Sequence, residues 1–172
     1  MEKYYTQIVG TPVVTEHGEY LNRIINLAIN TDTGKVVGFL MAPSGQTVVS
    51  PYDVIAWDSA LTITDRESIV PVDEIRQVED TIEKGIRVYG NRVYTKDGDY
   101  LGKVSNYAIH VKFLTLTKII VVKKLFGIIR TGRHLINSKD IIQIKKDAII
   151  VRNMAETSPL KVKKLSTDLA AT

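Results

Sequence analysis

Cysteine is absent from all 172 residues, so neither a disulfide nor a thiolate metal site is available to this chain. Histidine occurs three times. His17, His110 and His134 are the only imidazole bases, and none stands near a Ser or Asp at a spacing that implies a catalytic triad. Long apolar runs are missing too. No stretch approaches the roughly 18 residues of a membrane-spanning helix, and the longest candidate, 113–136, is broken by Lys118, Lys123, Lys124, Arg130 and Arg133. The opening MEKYYTQIVG lacks the basic-then-apolar pattern of a secretion signal, so a cytoplasmic protein is expected.

Motifs for bound groups are equally scarce. The stretch 127–134 has the two glycines of a phosphate loop, but Arg133-His134 stands where Lys-Ser/Thr is required, with no βαβ unit around it. Asp97-Gly98-Asp99 is too short for a calcium loop and reads as a hairpin turn. We assign no catalytic residue, metal site or cofactor, and expect no enzyme.

What the chain does have is a duplication. Residues 10–29, GTPVVTEHGEYLNRIINLAI, return at 90–109 as GNRVYTKDGDYLGKVSNYAI, with nine of twenty positions identical and no gap. Looking for repeats first is what exposes this organisation. Charge divides along the same line. Residues 1–86 hold 6 Lys/Arg and 13 Asp/Glu, net −7; residues 87–172 hold 17 and 6, net +11. Opposed halves bear on association rather than fold. Either the repeats face each other, copies associate head-to-tail, or the basic half meets an anionic partner.

Within repeat one, a strand is expected over 7–15, where Pro12 argues for an edge or an irregular position, followed by a turn at 16–19. A strand with one irregularity near Ile24-Ile25 follows over 20–30, then a turn at 31–34 and a β-branched run at 35–42. Short strands at 46–50 and 60–64 close the unit. Five or six strands with Gly, Asp and Pro turns every eight to ten residues point to a small barrel. Val72, Ile75, Val78 and Ile82 recur at helical spacing before Gly85, a short amphipathic connector; 159–171 is its basic counterpart. The expected fold is all-β: repeat one at 1–70, a helical linker at 71–85, repeat two at 86–158 and a basic tail at 159–172.

Matching Lys35 to Lys118 and Asp53 to Asp140 raises the offset between repeats from 80 to 83 and then 87. Two insertions in repeat two are thus expected, one replacing the polar turn 31–34 with 111–117 and one lengthening the next hairpin to 123–133. Hairpin tips are normally polar. These two are apolar and basic together, which suggests contact with a protein, a membrane surface or RNA. The candidate partner-binding residues are Lys123, Lys124, Phe126, Arg130 and Arg133, with Phe113 and Leu114 on the neighbouring tip.

The pattern resembles the PRC-barrel family. It is carried by Gly10-Thr-Pro-Val13, Gly18-Glu-Tyr-Leu21-Asn22-Arg23-Ile24, Thr33-Gly34-Lys35-Val36-Val37 and Pro51-Tyr-Asp53-Val54. Repeat two answers with Gly90-Asn-Arg-Val93, Gly98-Asp-Tyr-Leu101-Gly102-Lys103-Val104, Thr117-Lys118-Ile119 and Ser138-Lys-Asp140-Ile141. The resemblance implies a six-stranded barrel that serves as a docking module, as in the cytoplasmic domain of the photosynthetic reaction centre H subunit and the C-terminal domain of a ribosome-maturation factor. The expectation is therefore a tandem, non-enzymatic adaptor that docks a protein or protein–RNA assembly. Ribosome or RNA binding of the maturation type, peripheral association with anionic membranes or a membrane protein complex, and self-association of the opposed halves are the alternatives.

Overall fold

The computed structural model describes residues 1–153, and the chain is mostly β. The expected basic helix at 159–171 and the tail lie outside these residues. Strand β1 (Glu2–Tyr4) leads into one helical turn, α1 (Tyr5–Ile8). Repeat one continues as β2 (Pro12–Thr15), β3 (Tyr20–Ile29), β4 (Val36–Met41), β5 (Thr47–Val49), β6 (Val54–Trp57), β7 (Leu61–Ile63), β8 (Ile69–Pro71) and helix α2 (Arg76–Glu83). Repeat two supplies β9 (Arg92–Thr95), β10 (Tyr100–His110), β11 (Thr115–Leu125), β12 (Ile129–Asn137), β13 (Ile141–Ile144) and β14 (Ile149–Val151).

Two curled sheets result. The first has the spatial order β6-β7-β2-β3-β4-β5-β8, and the second β12-β11-β10-β9-β14-β13 with β1 added on β10. In each, one parallel pairing, β2 with β7 or β9 with β14, joins otherwise antiparallel strands. Three local readings need correction. The strand expected over 7–15 begins only at Pro12, because Tyr5–Ile8 coil into α1. Pro12 is not on an edge, since β2 lies between β7 and β3; it is tolerated as the first residue of its strand. The sheet also does not close at residue 64, because β8 pairs with β5.

A fourth correction concerns the repeats' register. Ala28 faces Gly38 and Leu27 faces Phe39, while Ala108 faces Lys118 and Tyr107 faces Ile119. Gly38 therefore occupies the place of Lys118, and the offset stays at 80 throughout β4 and β11. The turns are equivalent residue for residue. Gly34 N–H donates to Asn30 O at 2.7 Å, as Leu114 N–H does to His110 O at 2.8 Å. Asn30 Oδ1 accepts the N–H groups of Asp32 and Thr33; His110 Nδ1 accepts those of Lys112 and Phe113. Gly34 and Leu114 both have positive φ, 71° and 50°. The first expected insertion does not exist. Seven of the eight extra residues lie in the β11–β12 hairpin, where Val49 facing Phe39 becomes Ile136 facing Ile119, an offset of 87; the eighth lies in the β13–β14 turn, since Val13 pairs with Leu61 and Val93 with Ile149.

These matching turns bind each other. Val36 N–H donates to Leu114 O, and Leu116 N–H donates to Gly34 O, both at 2.8 Å. One continuous apolar core then runs through both repeats. It joins Ile8, Val13, Phe39 and Trp57 to Val93, Tyr107, Ile119 and Ile149. A smaller cluster seats α2 on β4 through Val78, Val37, Leu40 and Val48. Gly38 permits that seat, since a Cβ there would lie 3.0 Å from Val78 Cγ2 of α2 and 2.6 Å from Val48 Cγ2 of β5.

The N-terminal segment ties the two repeats together. β1 extends the sheet of repeat two at 108–110, and Lys118 Nζ meets Glu2 at 2.6 Å. That contact, reinforced by a bond to Thr117, holds the Glu2 carboxyl below its usual pKa and raises that of Lys118. Lys3 Nζ reaches back to Asp58 O in repeat one at 2.6 Å. The Tyr5 ring stacks on Tyr107 with centroids 4.8 Å apart, and Asn106 Nδ2 donates to Thr6 Oγ1.

Candidate functional site

The structure separates the two tips. Leu114 is half-buried against the shared core, its backbone carbonyl taken up by Val36. Phe113 remains 64% exposed beside the His110 ring, under Lys112 Nζ. Repeat one thus covers the backbone of the 111–117 tip and leaves one aromatic face in water.

The 123–133 tip is different. β11 has 11 residues against 6 in β4, and β12 has 9 against 3 in β5. At about 3.3 Å per residue, the ribbon projects roughly 15 Å beyond the equivalent point of repeat one. From Lys123 to Thr131 every residue is exposed, so neither face is covered. Lys123, Lys124, Phe126, Arg130 and Arg133 all lie on this projection. The sequence did not single out Leu125, Ile128 and Ile129, although they complete the apolar end. Phe126 is 87% and Ile128 84% exposed. Their signal was present in the unbroken run Leu-Phe-Gly-Ile-Ile between the two basic pairs.

Charges along the ribbon repel one another. Lys124 sits directly opposite Arg130, a pairing that destabilises a sheet when the charges are alike. Among the described residues no carboxylate pairs with Lys123, Lys124, Arg130 or Arg133. Lys123 Nζ lies over the Tyr100 ring at 5.8 Å. On the other side, Lys124, Arg130 and Arg133 overhang an open groove of about 800 Å³ floored by Ile120, Val122, Ser105 and Asn106.

The root and the end of the hairpin each show backbone specialisation. At Gly102, φ is 130°, and a Cβ would lie 2.4 Å from Val122 O. β10 and β11 cross there too closely for any side chain. At the end, Phe126 and Gly127 have φ of 50° and 73°, and Ile128 N–H donates to Leu125 O. Two successive positive φ values are the pattern of the primed hairpin turns, where Asn-Gly is the favoured pair. Phe is a poor choice there. Such a residue held in a disfavoured conformation is a motivated lead to function.

Among the described residues, no group of three or more His, Asp or Glu side chains is placed to hold a metal ion. No described helix is long and apolar enough to cross a membrane. A comparison with curated proteins finds none that matches. The PRC-barrel domain family matches residues 1–86, half of the 172-residue chain, from β1 through the end of α2. The resemblance carried by Gly10–Val13, Gly18–Ile24 and Pro51–Val54 falls within that span, and the chain belongs to the PRC-barrel domain family.

Proposed function

We propose that this protein is a non-catalytic docking module made of two PRC-type units, with the β11–β12 hairpin as its docking element. The tandem reading is supported by the strand-for-strand correspondence of β2–β7 with β9–β14 and by the common offset of 80 through β4 and β11. A family of interaction domains supports the non-catalytic reading. One observation carries the docking role. Between the matched strands β2–β7 and β9–β14, the large difference is a projecting ribbon whose four cations lack carboxylate partners among the described residues and whose apolar end is in water. Exposed apolar surface rimmed by charge marks an interaction site.

A photo-reactive benzophenone amino acid at position 126, irradiated in the producing cell, tests the reading. The control is position 52, where Tyr52 is 95% exposed on repeat one. Adducts at 126 that are absent at 52, whether to protein, RNA or lipid, are expected. Equal labelling at both positions, or none at either, would sink the docking role.

A further inference from the structure

Resting on that docking role, we infer that the hairpin's partner is an anionic lipid surface, which the tip 125–129 enters while Lys123, Lys124, Arg130 and Arg133 hold the headgroups. The order of side chains along the ribbon carries the assignment. Every apolar residue is at the far end, and the cations follow behind it at one to four residues toward the sheet. At about 3.3 Å per residue, the collar trails the tip by roughly 3–13 Å. Interfacial segments sink their apolar part by about 5–10 Å, leaving cations at headgroup level.

The shape of the tip agrees. Leu125 and Ile129, paired across the strands, share one face of the tip, and Phe126 and Ile128 stand almost wholly free at the turn beyond them. A protein pocket complements one face, whereas lipid surrounds a tip from all directions. Nucleic acid explains the cations but not the end. Single-strand binding uses aromatic stacking platforms, and this tip offers one aromatic and three aliphatic side chains. Phosphate contacts would leave those aliphatics in water. Two weak signals acting together, apolar insertion and charge, are what stable peripheral binding requires.

Phe126 supplies a clean test. Phe126→Asn creates the Asn-Gly pair that this turn prefers, so the hairpin is kept while the apolar tip is lost. The full chain would be sedimented with vesicles of phosphatidylcholine alone or mixed with phosphatidylglycerol. Binding is expected only to the mixed vesicles, weakening with salt. Neutralising each collar cation should weaken it roughly fivefold. Phe126→Asn with Ile128→Ser should abolish binding without lowering Tm, and Phe126→Trp should show blue-shifted emission on adding mixed vesicles.

No binding to the mixed vesicles at low salt would overturn the lipid assignment. So would binding that needs the cations but ignores the tip substitutions, with position 126 still in water. If 126 cross-links to protein or RNA while vesicles go unbound, docking stands and lipid falls. If neither assay responds, both fall.

Discussion

The β4–β5 and β11–β12 hairpins begin identically and end differently. Both follow equivalent turns and bury residues at matching positions, Val36, Phe39 and Met41 against Leu116, Ile119 and Val121, then diverge beyond Met41 and Val121. In repeat one the chain turns at once, and β5 is covered by β8. In repeat two it runs on past the core, exposing apolar residues that no described element covers. Duplication makes this comparison an internal control. Shared features belong to the fold, and what differs is free for another purpose.

Removing the difference should give the largest effect. Excising residues 124–130, which joins Lys123 to Thr131, restores the length of repeat one. We expect sedimentation with the mixed vesicles to disappear while cooperative unfolding persists within about 4 °C, since no core side chain is lost. Loss of the cooperative transition would show instead that the ribbon is part of the fold.

Next comes the root. Gly102→Ala forces a side chain into the β10–β11 crossing at a φ that L-residues resist, and should cost about 3 kcal/mol. Its repeat-one counterpart, Asn22, instead uses its side chain, donating from Nδ2 to Ala42 O at 3.0 Å. Asn22→Ala should cost only about 1 kcal/mol. Thermal scans compare the two, and equal losses would refute the idea that the crossing is special to repeat two.

The turn ranks third. Phe126→Asn should raise Tm by about 1–2 °C, a gain of roughly 0.5 kcal/mol from relieved backbone strain. A lower Tm would mean that Phe126 packs on something and is not idle in water.

The smallest effect concerns position 118, where repeat one has Gly38 under α2 and repeat two has the Glu2 ion pair. Glu2 titrates below its usual value of 4.5 when folded, so its contribution is full above 4.5 and fades as pH falls through the lowered value. Lys118, raised above 10.5, contributes fully below 10.5 and loses this as pH climbs through its raised value. Glu2→Gln should remove less than about 1 kcal/mol between these limits and flatten the acid limb. An acid limb identical to the parent's would assign that pH dependence to other groups.

Much of the architecture was legible in the sequence, because Gly10–Ile29 and Gly90–Ile109 repeat without a gap. The bulge expected near Ile24-Ile25 appears as the register shift between Ile24 and Asn26, repeated between Val104 and Asn106. The apparent insertion at 111–117 misled because Lys35 and Lys118 are both lysine. A shared polar residue carries little register information, whereas the burial of Leu116, Ile119 and Val121 matches Val36, Phe39 and Met41 at 80. The positive φ shared by Gly34 and Leu114 was invisible, since leucine does not advertise that conformation. The charges of the β11–β12 ribbon were readable from composition. Its exposure was not, because whether Leu125 or Ile129 is covered depends on strands distant in the chain.

The N-terminal segment has one more consequence, for the order in which the protein forms. Thr6 bonds to Asn106, one hundred positions away, and Ile8 lies wholly inside a core that both repeats complete. Contacts so remote in sequence are slow to close. As the chain is synthesised, β1 has nothing to pair with until His110 has emerged, so repeat one waits half-finished for its twin. Separating the halves at residue 86 would therefore strand β1 without the strand it pairs with, and folding of the whole should show a late phase that reports its arrival.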